Sequence, residues 1–405
     1  MPIRTVTRRD LLAALAAAPF ALAATPAAAR SFEQWVAAFR ARAVARGVSE
    51  QTYARAMNGL KPDTRVLALI HNQDEFKELL WQYINRRASD WRIITGKERA
   101  KDHAALLSRI ERDYGVDRHV MLALWGIESS YGDVIDNPKY MRPALPALAT
   151  LAYEEPRRRA YWEAELINAL LIVERGWATP KEMIGSWAGA MGHTQWMPEV
   201  WLHMGVDYDH DGRVSPFGKP DDSFAGTARF LVERGKYQRG AAWGHEVRAP
   251  TGLKGGRAAR SYAKWRDAGV KRADDQPFER PDDKAQLRVP VDGGPAFLVG
   301  QNFSAVMAYN PAFSYALAVC HLADRIAGAG PFVQGFPGGE RLPALAEVQE
   351  IQRRLTALGY DTQGSDGRAG LDTMRAAKAY QEKVGMEPAD GYAGVTLLAR
   401  LRQGP

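Results

Sequence analysis

Glu128 ends the apolar run Val120-Met121-Leu122-Ala123-Leu124-Trp125-Gly126-Ile127 and is followed by Ser129-Ser130-Tyr131-Gly132. A carboxyl group with Leu124, Trp125 and Ile127 as neighbours should be partly desolvated, which disfavours its charged form and raises its pKa. A carboxylic acid that keeps its proton near neutral pH is a general acid, able for example to protonate a glycosidic oxygen. A solvated or capping Glu at a helix end would give the same local pattern. The segment Ser186-Trp187-Ala188-Gly189-Ala190-Met191-Gly192-His193-Thr194-Gln195-Trp196-Met197-Pro198 alternates small residues with polar and aromatic ones. Gly and Ala let a ligand approach the backbone closely. Ser186 and Gln195 add groups suited to hydroxyl and amide substituents. Tight helix packing would use the same small residues.

A third constellation is Asp207-Tyr208-Asp209-His210-Asp211-Gly212-Arg213. Asp at positions one, three and five with Gly at six is the first half of a calcium loop, because hard oxygens on alternating residues of a tight turn converge on one cation. Gly218 stands where the closing Glu would be, with Asp221 and Asp222 beyond it. A solvated acidic turn shares this composition. Any ion here is expected to be structural. The single cysteine, Cys320, lies in the apolar run Tyr315–Leu322, which excludes an intrachain disulfide and fits a buried small hydrophobe.

Helices must position these groups. Ser31 can cap a helix with Trp35, Val36 and Phe39 on one face, and Ser49 starts a second. Asp74–Arg87 carries Phe76, Leu79, Leu80 and Tyr83 at helical spacing. Asp117 caps the helix that ends at Glu128. Further helical patterns cover about 156–174, 223–235 and 312–327. Residues 240–300 have Gly and Pro punctuation and alternating runs such as Leu287-Arg288-Val289-Pro290-Val291, which predict a small β insertion. Residues 328–341 hold five Gly and two Pro and read as a linker to a loosely coupled unit of 64 residues. That unit contains a weak repeat, Asp366-Gly367 and Asp390-Gly391, each leading through a Gly and a Thr into a helix capped by the polar residue.

The chain has 405 residues, 46% hydrophobic and 25% charged, enough for two or three globular domains. Its net charge of +7 suits an anionic partner such as a cell wall, a membrane surface or nucleic acid. No Lys/Arg cluster forms a nucleic-acid motif, so no nucleic-acid partner is expected. Arg4, Arg8 and Arg9 precede a 14-residue apolar stretch, Leu11–Ala24, and Ala27-Ala28-Ala29 offers a cleavage site. Residues 1–29 are therefore expected to be a secretory signal peptide, with Arg8-Arg9 suggesting the twin-arginine type and an ordinary Sec signal as the alternative. Its removal leaves a net charge of +5. No Cys follows the cleavage site and no second stretch is long enough to span a bilayer, so the mature chain is expected to be periplasmic, without a membrane anchor.

Gly126-Ile127-Glu128-Ser129-x-Tyr131-Gly132, then the segment Ser186–Pro198, then Ala308-Tyr309-Asn310-Pro311 with Ser314-Tyr315-Ala316 resemble the lytic murein transglycosylases of the membrane-bound type B family. The resemblance covers roughly residues 31–328. It implies a mainly α (α+β) fold, with a lysozyme-like helical core and a small β insertion. It implies Glu128 as sole acid and base, with Ser186, Gln195, Tyr309 and Asn310 in the substrate cleft. Asp222 would close the acidic loop, giving Asp207, Asp209, Asp211, Arg213 and Asp222 as candidate ligands for a structural calcium ion. No cofactor is implied for the chemistry.

His193-Thr194 and Trp196 stand where relatives often have Tyr-Gly and Phe, and Phe230 where they often have Tyr. Asp133 and Asp136 leave room for a second carboxylate.

Val348-Gln349-x-x-Gln352-x-x-Leu355-x-x-Leu358-Gly359-Tyr360, Asp366-Gly367 and Ala379-Tyr380-Gln381 resemble a peptidoglycan-binding module with a three-helix fold. The expected organisation is thus 1–29 signal peptide, 30–328 catalytic region, 329–341 linker and 342–405 binding domain. The implied activity is cleavage of peptidoglycan glycan strands by a monomer, forming a 1,6-anhydromuramoyl end. A hydrolytic muramidase on the same core, or a non-catalytic wall-binding scaffold, are the alternatives.

Overall fold

A computed structural model describes residues 30–71 and 78–404. The signal segment 1–29, together with Asp74 and Phe76 of the third expected helix, lies outside the described residues. Seven helices lead to the first candidate residue: α1 (Phe32–Val44), α2 (Glu50–Met57), α3 (Arg65–His71), α4 (Leu80–Arg87), α5 (Asp90–Asp102), α6 (Ala104–Tyr114) and α7 (Arg118–Ser129). Ser31, Ser49 and Asp117 cap α1, α2 and α7 with side-chain oxygens. A two-residue strand β1 (Arg142–Pro143) pairs antiparallel with β2 (Ile184–Gly185), and between them lie α8 (Ala144–Glu154) and α9 (Arg159–Glu174). Then come α10 (Pro198–Met204) and α11 (Asp221–Glu233).

The β insertion follows: β3 (Gly244–Arg248), β4 (Ala259–Ser261), α12 (Tyr262–Asp267), β5 (Lys271–Arg272), β6 (Lys284–Arg288) and β7 (Ala296–Val299). These five strands form one antiparallel sheet in the order β4-β6-β7-β3-β5. The strand expected to run through Pro290 stops at Arg288, since proline has no N–H for the ladder. The catalytic region closes with α13 (Gln301–Tyr309) and α14 (Phe313–Ala327), and the C-terminal unit comprises α15 (Leu345–Ala357), α16 (Leu371–Lys383) and α17 (Val395–Arg402).

Four apolar cores result. The largest joins α7 to α14, with Cys320 fully buried inside it. A second gathers α1, α2 and α8 to α10 around Trp162, Trp196 and Trp201. The sheet and the C-terminal helices each have their own. Among the described residues no single helix is long and apolar enough to cross a membrane.

The weak repeat has a physical basis. Gln352 Oε1 accepts from the Gly367 amide at 2.8 Å and Gln381 Oε1 from the Gly391 amide at 2.7 Å, so each buried Gln closes one Asp-Gly turn. The helices that follow begin at Gly370 and Gly394 with no side-chain cap, contrary to the expected polar caps.

The linker is not loose. Phe332 stacks on His321 with ring centroids 3.9 Å apart, and both Glu246 carboxylate oxygens accept amides of Val333 and Gln334. The C-terminal unit also rests on the catalytic region. Asn85 donates to the Tyr392 hydroxyl at 2.9 Å, the Leu345 amide to Asp90 at 2.8 Å, and Trp81 meets Tyr392 edge-on at 4.8 Å. Gly and Pro content signals a chain without regular structure, which is different from a chain without contacts.

Candidate active site

Helix α7 delivers Glu128 on its last turn. The helix stops because Ser130 and Tyr131 both adopt left-handed backbone, with φ of 53° and 61°. Two non-glycine residues in that region are costly and persist only when surroundings enforce them. Ser129 Oγ supplies part of that enforcement, donating to the His193 carbonyl at 2.6 Å and accepting the Gly132 amide at 3.0 Å. The Tyr131 ring folds back over α7 against Gly126, where an added Cβ would come within 2.5 Å of it, and its hydroxyl donates to the Arg92 carbonyl at 2.6 Å.

Glu128 is half-buried. Burial pushes its pKa up from the ordinary carboxylate value, while the Tyr315 hydroxyl, which donates to Oε1, and the Arg87 charge act in the opposite direction. The negative end of the α7 dipole also disfavours a carboxylate there. Among the described residues no carboxylate contributes to this balance. Asp133 is exposed and paired with Arg368 at 2.5 Å, and Asp136 lines a separate cavity beside the acidic loop.

The small-residue segment forms tight turns rather than a helix–helix seam. Ser186 Oγ accepts the Ala190 amide at 3.2 Å, and Met191 pairs with both Gly185 and Trp196. Gly192 has φ of 74°, and a Cβ there would come within 2.2 Å of the Pro216 carbonyl oxygen, so only glycine fits. Gln195 is held at φ of 53° with its amide donating to the Gly192 carbonyl at 3.0 Å.

Tyr309 lies beside Glu128, whose charge adds to burial in raising the phenol pKa. Its hydroxyl donates to the Thr194 carbonyl, and its ring meets Phe230 edge-on at 5.3 Å. Thr194 in turn accepts from Thr227, which accepts from Trp196 Nε1, each at 2.9 Å. Thr194, Trp196 and Phe230 thus form the scaffold behind Tyr309. Asn310 Oδ1 accepts the Ala312 amide at 3.1 Å, turning the chain from α13 into α14.

Tyr315 was not singled out as a site residue because it sits in an apolar run, where a Tyr looks like core. The same holds for Trp125, whose Nε1 donates to His193 Nδ1 at 3.0 Å. His193 Nε2 then lies 2.8 Å from the Gly218 carbonyl. The His193 ring therefore carries its proton on Nε2 and is neutral, consistent with burial lowering its pKa.

In the acidic loop, oxygens of Asp207, Asp209 and Asp211 all lie within 4.8 Å of one another. This hard-oxygen set suits calcium. Asp222 does not join the cluster. Asp222, 5% exposed, spends its two oxygens on the amides of Tyr208 and Ser215 at 2.7 and 2.8 Å. The Arg213 guanidinium donates to the Trp177 carbonyl at 2.8 Å.

The helical core, the acid at the end of α7 and the small-residue turn define a class, and the chain belongs to the transglycosylase SLT domain family, whose match spans residues 31–324. The peptidoglycan-binding domain family matches residues 345–401. The chain is similar to SltB3 from Pseudomonas aeruginosa, solved in complex with NAG-NAM-pentapeptide and with NAG-anhNAM-pentapeptide. Identity is 38%, with a TM-score of 0.72 over 92% of this chain and 100% of that one. It is similar to an Escherichia coli lytic transglycosylase in complex with calcium, at 26% identity and a TM-score of 0.62 over 72% of this chain and 92% of that one. It is also 30% identical over 227 residues to membrane-bound lytic murein transglycosylase B of Escherichia coli strain K12, a match covering 55% of this chain and 60% of that protein's length. The fold is thus mainly helical and lysozyme-like with a small sheet, followed by a peptidoglycan-binding domain.

Proposed function

We propose that the chain is a lytic transglycosylase that cleaves the β-1,4 bond between N-acetylmuramic acid and N-acetylglucosamine in peptidoglycan. The observation that carries this reading is one half-buried carboxyl of raised pKa, Glu128, bonded to Tyr315 with no second carboxylate among the described residues in its electrostatic surroundings. Glu128 donates its proton to the glycosidic oxygen as the bond to C1 breaks. The neighbouring acetamido oxygen stabilises the cation as an oxazolinium. Glu128, now a carboxylate, accepts the proton of the muramoyl C6 hydroxyl, which closes onto C1 to give the 1,6-anhydro ring. One group serves both steps, whereas two-carboxylate glycosidases divide them. Ser186, Gln195, Tyr309 and Asn310 line the sugar path in this reading.

The chemistry needs no cofactor. Asp207, Asp209 and Asp211 hold a structural calcium ion, with Asp222 holding the loop from behind. The support is the convergence of the three carboxylates and the calcium complex of a relative. Residues 1–29 direct export to the periplasm and are removed, 30–328 form the catalytic region, 329–341 the linker and 342–405 the wall-binding domain. The mature protein acts as a monomer on the glycan strands. The test is product analysis of digested sacculi. Anhydro ends add no water, resist borohydride and take up no ¹⁸O from labelled water. Products that incorporate ¹⁸O and reduce normally make the protein a hydrolytic muramidase, and no cleavage at all makes it a binding scaffold.

A further inference from the structure

Helix α4 carries a guanidinium that the catalytic reading leaves without a task. Arg87, half-buried, makes no hydrogen bond or ion pair with any described residue, and its Nε is fully buried without a partner. Its guanidinium lies over the face of Tyr83, 5.4 Å from the ring centroid. It is close enough to Glu128 to act on that carboxyl electrostatically, yet forms no ion pair with it.

Among the described residues the surroundings are short of negative charge. Arg86 is paired with Glu78 at 2.6 Å, and Arg368 with Asp133 at 2.5 Å while lying over the Trp91 ring at 3.9 Å. Among the described residues the hydrogen-bond partners of the Arg92 guanidinium are carbonyls, those of Gly126 at 3.0 Å and Arg86 at 3.1 Å, and it lies 5.7 Å from the Trp91 ring centroid. Among the described residues, four guanidinium groups thus share three carboxylates, Glu78, Asp133 and Asp366. Burial first, and the Arg87 charge next, push the Arg92 pKa down to about 9. Leaving two cations uncompensated beside an active site is costly unless a ligand brings the missing charge.

We propose that Arg87 is the recognition element of an anion subsite beside Glu128, and that its ligand is a carboxylate of the peptide stem carried by the muramoyl residue. This rests on the transglycosylase reading. The glycan of that polymer carries no charge once its lactyl group is joined to the stem, so an anion site at the cleft reads the stem rather than the sugars. A guanidinium fork matches a carboxylate in two parallel hydrogen bonds. Docking against Tyr83 holds the fork in place before substrate arrives.

The test compares kcat/KM on glycan oligomers with intact stems and on the same oligomers stripped of stems by an amidase, the lactyl carboxyl groups so exposed being capped as methylamides. Wild type favours the stem-bearing chains. In Arg87→Gln the ratio of the two values falls about tenfold or more, the loss expected for a charge-assisted hydrogen-bonded pair. In Arg87→Lys, which keeps the charge without the fork, the ratio lies between the two. Amidating the stem carboxylates lowers the wild-type ratio in the same way. An equal loss on both substrates in Arg87→Gln, or a ratio unchanged in both variants, overturns the proposal, since Arg87 would then act only through Glu128 or not at all. Wild-type enzyme that cleaves neither substrate refutes the transglycosylase reading instead.

Discussion

Tyr315 donates its phenolic hydrogen to Oε1 of Glu128 across 187 residues of sequence, tying α14 to the end of α7. A hydrogen bond to the charged form stabilises it, so Tyr315 holds down a pKa that burial raises. Tyr315→Phe should let the Glu128 pKa rise further. The first step needs the protonated acid, so the alkaline limb of the kcat/KM profile should move to higher pH. An unmoved or downward-moved limb would separate Tyr315 from the acid's titration.

Glu128→Gln should lower turnover at least a hundredfold, the lower bound usual for general acid–base catalysis. It should also stabilise the fold near neutral pH. A carboxyl with a raised native pKa binds its proton more tightly folded than unfolded. Its contribution is present below the ordinary value of 4.5 and is lost as pH rises through the native value. The amide carries no such loss. Melting temperatures across that window should diverge in favour of the variant as pH rises, and parallel curves would contradict the raised pKa.

The helices α1, α2 and α7 were legible because their caps and periodic apolar faces are local properties. So was the position of Glu128, because the apolar run fixes which turn carries it. Tyr315, Arg87 and the Trp125–His193 pair were not legible as site residues. A Tyr in a core helix, an Arg on an exposed-looking helix end and a Trp in an apolar run gain meaning only when distant segments meet. The acidic loop shows the same limit at finer scale. Spacing located Asp207, Asp209 and Asp211, whereas the backbone-holding task of Asp222 depends on where the Tyr208 and Ser215 amides point.

That difference separates two substitutions in the loop. Asp209→Ala should erase the difference in melting temperature between calcium and chelator while leaving the chelator value near wild type. Asp222→Ala strands two amides and should lower melting in both conditions, by about 1–3 kcal/mol for each unpaired group that stays buried. A wild-type protein that melts at the same temperature in calcium and chelator would end the calcium reading.

The docked linker changes what truncation should do. Deleting residues 342–405 removes the Asn85–Tyr392, Asp90–Leu345 and Asp133–Arg368 contacts and uncovers Trp81. Pelleting with insoluble peptidoglycan should be lost and the melting temperature of the catalytic region lowered, while soluble oligomers are still cleaved at a reduced rate. Unchanged melting would mean that the docking contributes no stability, and complete loss of soluble turnover would mean that the domain builds the cleft.

His193 joins the acidic loop to the helix of Glu128. Its ring bonds the Gly218 carbonyl on one side and Trp125 on the other, its amide donates to the Pro216 carbonyl at 2.9 Å, and its own carbonyl accepts from Ser129. Protonation would put a hydrogen on Nδ1, facing the Trp125 N–H, and break that bond. Burial, aided by the nearby His103 charge, lowers the His193 pKa against the attraction of the Gly218 carbonyl. With a depressed native pKa, the stabilising contribution is complete above the ordinary value of 6.5 and is lost as pH falls toward the native value. His193→Phe should therefore cost stability at neutral pH, about 1–3 kcal/mol for the stranded Trp125 N–H. It should also reduce the slope of stability against pH below 6.5. The slope should shrink rather than vanish, because His103, His245 and His321 are shifted in the same direction. Urea melts at a series of pH values read both effects. A variant with the wild-type slope would show that His193 does not titrate in this window, and the neutral tautomer assigned to it would lose its support.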